Sequence, residues 1–502
     1  MKNSRGNRLK LNTVSSLLLQ ITTVLYGFIL PRMILSNFGS QVNGLVNSIA
    51  QFLGVISLLE LGVGAVVQSA LYKPLAETNT AQLSRIYVSA SKFFKRIGII
   101  FALYVLILTI VYPSYINNNF DFLYTASLIV AISISSIAQY FFGIVNILLL
   151  EADQRGYISY LIQIITLLLN IVACIIIIKI DGSIQAVKLI TSVVFIARPL
   201  LLNWYVKKNY NIDRKISYYQ DPIPQKWNGM AQHFANYVLC STDIIVLTFF
   251  STLANVSVYS VYHLVINGVF MLVSSLSNGF FSYFGDVWAR NEKDILNKNF
   301  SLFEWLMHMS GVVIFGCTAT LIIDFVQVYT AGITDINYIH QEFGLLLVIA
   351  YAIRSVRIPY NYIILAAGHY KQTQRSYIIA ASLNLIISII TVMRWGLIGV
   401  AIGTLVAMVY QSIWQAVYCY KKLMSFRLSR FIVLLLVDVT TFLVCLTVSG
   451  LIKIDVETYI MWLVKASICL LFWGITAILL YSISFKEEFV LFKKYIERSA
   501  GK

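Results

Sequence analysis

Fourteen apolar stretches follow one another through this 502-residue chain, and the basic residues between them fall almost wholly on alternate connections. With 59% apolar and only 12% charged residues, the chain has too little polar surface to close over a water-soluble core. Lipid is the solvent it requires. The stretches lie at roughly 11–35, 42–71, 97–115, 122–149, 157–179, 183–205, 228–252, 256–288, 304–330, 341–365, 373–393, 396–420, 431–452 and 459–483. Most exceed the ~20 residues a helix needs to cross hydrocarbon. The expected fold is an all-α polytopic membrane protein of about 14 transmembrane helices.

Charge placement orients the expected spans. With both termini on the cytoplasmic side, 29 of the 38 Lys and Arg fall on that side, and only Lys179, Arg394 and Lys453 lie on external connections. The remaining six are within spans. That bias is the positive-inside pattern of a multi-pass membrane protein. A formal charge of +16 suits nucleic acid in a soluble domain. Spread over short loops, it fits insertion topology and contact with anionic membrane lipid instead, and no nucleic-acid partner is expected. The six cysteines, 174, 240, 317, 419, 445 and 469, all lie in apolar spans and read as small buried hydrophobes. Four basic residues ahead of the first apolar run imitate a secretory signal. The run ends at Pro31-Arg32, not at a small-residue cleavage site, so a retained helix is expected.

The longest cytoplasmic connection, 206–227, combines charge with Pro222 and Pro224 and reads as a linker. It separates a six-helix lobe at 1–205 from a second at 228–420, and 421–502 adds two helices and a tail. Shifting the second lobe onto the first by 214 residues superposes Asn170 on Asn384 and Gly182 on Gly396. Six helices is an even number, so the lobes are expected to be parallel repeats related by an axis along the membrane normal.

Two segments carry more than pattern. One runs Phe38-Gly39, Asn43-Gly44-Leu45-Val46-Asn47-Ser48 and Leu59-Glu60-Leu61-Gly62-Val63-Gly64; the other is Asn384-Leu385-Ile386 with Gly396-Leu397-Ile398-Gly399-Val400-Ala401-Ile402-Gly403. Together with length and span number, they resemble the Wzx-type polysaccharide flippases, of the superfamily that also holds multidrug extruders and the lipid II flippase. The resemblance implies transport of undecaprenyl-pyrophosphate-linked oligosaccharide units for O-antigen, capsule or exopolysaccharide by alternating access of two lobes about a cationic cavity. It implies no enzyme activity and no cofactor beyond a coupling ion, H+ or Na+. Polymerase and chain-length proteins of the same pathway would be its partners. Two rival readings are a multidrug extruder of the same superfamily and a membrane glycan polymerase or ligase. The short external connections leave such an enzyme little room for an acceptor site.

Ionisable residues inside spans mark candidate sites, because each costs ~2.5 to 3.5 kcal/mol at a helix centre on insertion scales. Arg354 and Arg357 are three residues apart in the tenth span, just ahead of Pro359, and two guanidinium forks there suit a pyrophosphate or acidic sugar. Pairing with an acidic residue is the structural alternative. Arg198, before Pro199, and Arg32, after Pro31, are further candidates for a cationic cavity. Glu60 and Asp243 are candidates either for cation coupling or for ion pairs with Arg32 or Arg198. Asp324 and Asp438 are expected to pair within their lobe, whereas Lys188 and Lys465 snorkel and His233 and His263 serve packing. No metal cluster, phosphate-cradling loop or nucleophile elbow is present in the sequence.

Overall fold

A computed structural model describes residues 2–60, 63–116, 120–217, 223, 230–424, 426–450, 452 and 454–500, and all regular structure among them is helical. Leu61, Gly62, Lys453 and most of 218–227 lie outside the described residues, as do the side chains of His233 and Cys240. Among the described residues, twelve helical stretches are long and apolar enough to cross a membrane. The first of them, Lys10–Leu59, contains one expected span and the start of the next, and the apolar segment Ser241–Phe250 answers to the seventh. Each of the fourteen expected spans thus has a helical counterpart, and the chain is a multi-pass membrane protein.

The chain divides into two compact units, Met1–Phe234 with Thr252–Ala254, and Ala235–Ser251 with Asn255–Lys502. The first unit holds α1 (Lys2–Gly54), α2 (Val63–Ala76), α3 (Thr80–Tyr115), α4 (Phe122–Phe142), α5 (Ile144–Ala152), α6 (Gly156–Lys179) and α7 (Ile184–Asn209). The long α1 is broken at Gly39, whose φ of 81° lies in the left-handed region that only glycine enters without strain. The Phe38-Gly39 pair of the sequence motif is therefore the corner between the first two spans. A short 3-10 segment, Val55–Leu59, then interrupts the second span and ends at Glu60. The fourth span is likewise broken, at Gly143 between α4 and α5.

The second unit holds most of α8 (Met230–Phe250) and α9 (Leu253–Ala289), with α10 (Lys293–Tyr329), α11 (Gln341–Val356), α12 (Ile358–Ala366), α13 (Tyr370–Trp395) and α14 (Leu397–Lys422). Then come α15 (Leu428–Ser449), α16 (Tyr459–Ser484) and the amphipathic α17 (Lys486–Ala500). Both α15 and α16 pack on α10.

Burial follows the logic of a lipid solvent. On α6 the exposed residues Leu161, Ile165, Leu168, Val172 and Ile176 recur at helical spacing, while Ser159, Thr166, Asn170 and Cys174 are buried. On α13, Ile386, Ile390 and Met393 are exposed while Ser376, Asn384 and Ser388 are buried. Apolar chains cover the lipid side and small or hydrogen-bonded polar groups join the helices. Asn170 and Asn384, equivalent under the 214-residue shift, are both fully buried in this way. The five described cysteines are buried and unbridged.

Lys465 departs from its expected role. Its ammonium pairs with Asp324 at 2.7 Å because α16 lies against α10, so the chain does not reach for the headgroups. Asp438 pairs with His308 at 2.7 Å, also within this unit.

Candidate functional site

In the first unit a cavity of about 570 Å³ lies beside the break in the second span. Glu60, at the end of the 3-10 segment, and Arg198, on α7, both line it. The Tyr140 hydroxyl, three residues before the Gly143 break, donates to Glu60 Oε1. Arg198 stacks on Phe195 with its guanidinium carbon 3.8 Å from the ring centroid, and its Nε donates to Thr166 Oγ1 at 2.6 Å. Its Nη2 is buried without a hydrogen-bond partner among the described residues. Glu60 and Arg198 therefore share one cavity without forming an ion pair, and Gln139, Gln163, Ser135 and Ser136 add neutral polar groups to its walls. A carboxylate, a guanidinium with a free edge, amides and hydroxyls beside aromatic rings suit a hydroxyl-rich guest bearing an anionic group. Arg32 lies elsewhere on α1, half-buried, and is not part of this wall.

The second unit builds a different site around Asp243, which is 4% exposed on α8. Its Oδ2 accepts from Tyr259 Oη on α9 at 2.8 Å and from Thr404 Oγ1 on α14 at 2.7 Å. Asn384 on α13 donates to Thr404 Oγ1 at 3.1 Å and accepts from Thr242 Oγ1 at 3.1 Å. Asp243 makes no ion pair among the described residues, and its Oδ1 makes no hydrogen bond with them. This arrangement is made possible by the glycine run of α14. A Cβ on Gly403 would stand 2.9 Å from Asn384 O and 2.8 Å from Ser388 N, and one on Gly399 would strike the Thr391 backbone. Only glycines let α14 approach α13 closely enough to set Thr404 beside Asn384. The orphaned carboxylate oxygen, in a shell of hydroxyl and amide oxygens, fits a proton or a hard monovalent cation such as Na+.

From Asp243 a line of contacts leads to Arg354. The Tyr259 ring stacks on His263 at 5.5 Å, His263 Nε2 lies 2.9 Å from Tyr351 Oη, and the Arg354 guanidinium sits 5.3 Å from the Tyr351 centroid and 4.1 Å from that of Phe270. Arg357 is buried at the junction of α11 and α12, its amide bonding back to Ile353 O at 3.3 Å. Sequence reasoning singled out Asp243 and Arg354 by their depth. It missed Tyr140, Tyr259, Thr242 and Thr404, because Tyr and Thr are common in such helices and carry no spacing signal. Asn384 was visible as a repeat match and in the second of the two sequence segments, but not as a partner of Asp243 or Thr404.

No family model matches the sequence, and no curated protein does. Solved structures do. The lipid II flippase MurJ, in an inward closed conformation, aligns over 95% of this chain and 98% of its own, with a TM-score of 0.68 at 16% identity. An inward-facing multidrug resistance MATE family transporter of the MOP superfamily aligns over 79% of this chain and 94% of its own, with a TM-score of 0.65 at 14% identity. A MOP superfamily transporter from Pyrococcus furiosus, described as having a binding pocket of reversed polarity, covers 83% of this chain and 97% of its own at a TM-score of 0.56 and 14% identity. The fold is that of the MOP transporters. At these identities the likeness is one of fold. Within this MOP-type fold the Glu60 cavity belongs wholly to the first unit and the Asp243 site wholly to the second.

Proposed function

We propose that the chain is an ion-coupled flippase that moves undecaprenyl-pyrophosphate-linked oligosaccharide across the bacterial plasma membrane by alternating access, its termini cytoplasmic. The observation that supports this reading is coverage: the lipid II flippase aligns over 95% of the chain, whereas the multidrug resistance MATE family transporter aligns over 79% and the Pyrococcus furiosus MOP transporter over 83%. A lipid-linked, diphosphate-bearing sugar also suits what the two units offer. Arg198 presents a free guanidinium edge beside amides and hydroxyls, and Arg354 and Arg357 supply cationic groups in the second unit. Arg32 adds a fourth cation on α1. Asp243 with Asn384 and Thr404 supplies the coupling site for Na+ or H+, and Glu60 is the second carboxylate available for coupling. Binding a cation there neutralises a carboxylate that burial otherwise penalises, which lets ion occupancy bias the conformational equilibrium. When Na+ is bound it supplies only charge and ligand ordering; the protein's own groups hold and release it.

The test is a deletion strain. Loss of the chain should abolish a surface glycan and accumulate its lipid-linked unit on the inner leaflet, with unchanged sensitivity to toxic cations. Sensitised cells with normal surface glycan would replace this reading with a drug extruder.

A further inference from the structure

Thr404, Met408, Gln411, Gln415 and Tyr418 follow one another on α14 at spacings of four, three, four and three residues, which aligns them along one face. Gln411 and Gln415 are both 0% exposed. The nitrogen and the oxygen of each amide are buried without a hydrogen-bond partner among the described residues, and the burial leaves no room for water against them. A buried amide left unsatisfied is costly, and here two stand one turn apart. Packing does not account for them, because leucine fills a similar volume without that cost.

The face joins two polar ends. At one, Thr404 Oγ1 donates to Asp243 Oδ2 at 2.7 Å. At the other, Tyr418 Oη lies 2.8 Å from His369 Nδ1 at the turn between α12 and α13, where Tyr370 is exposed. The amides lie between, about 10 Å and about 16 Å along the helix from Thr404. The Asn384–Thr404 and His369–Tyr418 contacts set the antiparallel register of α13 and α14, which brings Ser376 and Thr373 level with Gln411 and Gln415. Both hydroxyls are fully buried and donate to carbonyls of their own helix, Ser376 to Thr373 O at 2.8 Å and Thr373 to His369 O at 2.9 Å, so their oxygens are left to accept. Ser412 Oγ donates to Ile353 O at 3.1 Å and holds α14 against α11. One apolar layer separates the amides from the Asp243 site: Met408 and Ala407, packed with Leu239, Ala380 and Ala381.

We propose that Gln411 and Gln415 are a transient station for a monovalent cation on the path between Asp243 and the face marked by His369 and Tyr418, closed in this structure by the Met408 layer. The proposed orientation makes that face cytoplasmic, and the inference rests on the cation role proposed for Asp243. Amide oxygens are ligands for a hard cation, and two of them one turn apart can converge on one ion. Being neutral, they hold it weakly enough to let it pass. Their cost in the closed packing favours an opened arrangement in which they are solvated or occupied. Met408, unbranched and flexible, is suited to moving aside.

The test is binding and exchange of radioactive sodium by the purified full chain in nanodiscs. Asp243→Asn should abolish saturable binding. The double variant Gln411→Leu, Gln415→Leu should keep the equilibrium affinity of the wild type while its association and dissociation rates both fall on the order of tenfold. Its melting temperature without sodium should be unchanged or higher, because no satisfied amide is lost. Met408→Ala should speed both rates. Wild-type rates in the double variant would overturn the station and leave Asp243 as the ion site, whereas absence of binding by the wild type would overturn both. A lower melting temperature in the double variant would show that the amides are satisfied and would also overturn the proposal. Neither readout depends on the transported lipid.

Discussion

Asp243 and Arg354 show how a membrane helix makes use of charge. Each is costly in hydrocarbon, and the structure surrounds each with specific contacts: hydroxyls bond the Asp243 carboxylate, and the Phe270 and Tyr351 rings lie beside the Arg354 guanidinium. Asp243→Asn keeps the shape but removes the charge that attracts a cation. Sodium should therefore raise the melting temperature of the wild-type protein and leave the variant unmoved, whereas an equal shift in both would remove Asp243 from ion binding. At Arg354 the planar guanidinium lies over a ring, a geometry an ammonium reproduces poorly. On the proposed function, Arg354→Lys should thus lower glycan export nearly as far as Arg354→Ala, on the order of tenfold, with membrane abundance measured in parallel. Full export by the Lys variant would mean that charge alone suffices there.

At the scale of elements, the interruptions matter most. Gly39 turns the chain between the first two spans, whereas the 3-10 turn before Glu60, Gly143 and the α11–α12 junction each break a span and stand beside a candidate site. Gly403 acts through closeness, so Gly403→Val should force α13 and α14 apart at a cost of about 1–3 kcal/mol. A lower melting temperature together with loss of the sodium shift is the expected signature. Retention of both would show that the helices do not need the close approach. Tethering of α17 is electrostatic: Glu488 accepts from Ser301 Oγ at 2.6 Å and pairs with Arg430 at 2.7 Å, and Arg430 reaches the buried Glu304 at 2.9 Å. Burial opposes ionisation of Glu488, but the Ser301 hydroxyl and Arg430 outweigh it and hold its pKa below the usual 4.5. A depressed carboxyl pKa stabilises the docked helix above that value, and the stabilisation fades as pH falls through the lowered one. Hydrogen exchange in α17 should accelerate on acidification below about pH 4.5, while Glu488→Gln should show fast exchange already at neutral pH. Slow exchange in that variant would sink the account.

For the whole molecule, the proposed orientation rests on charge. Tags within 206–227 and after Lys486 should react with impermeant reagents only after the cytoplasmic side is opened, because these segments carry ten of the 29 inside charges. Labelling in sealed cells would invert the topology.

The amino-acid sequence by itself determined the lipid solvent, the number of passes and the charge asymmetry, because hydrophobic length and loop charge are properties of contiguous residues. It also marked Asp243, Glu60, Arg198 and Arg354, since an ionisable group in an apolar run is conspicuous wherever it points. Only the tertiary structure decided what surrounds them. Tyr140 reaches Glu60 from 80 positions along the chain, and Thr404 reaches Asp243 from 161. Arg198 and Glu60 came to share a cavity without pairing, and Lys465 found Asp324 in place of the headgroups. Partners of that kind are set by which helix faces meet. In a lipid solvent nearly every helix is apolar all round, so hydropathy alone does not reveal which face turns inward.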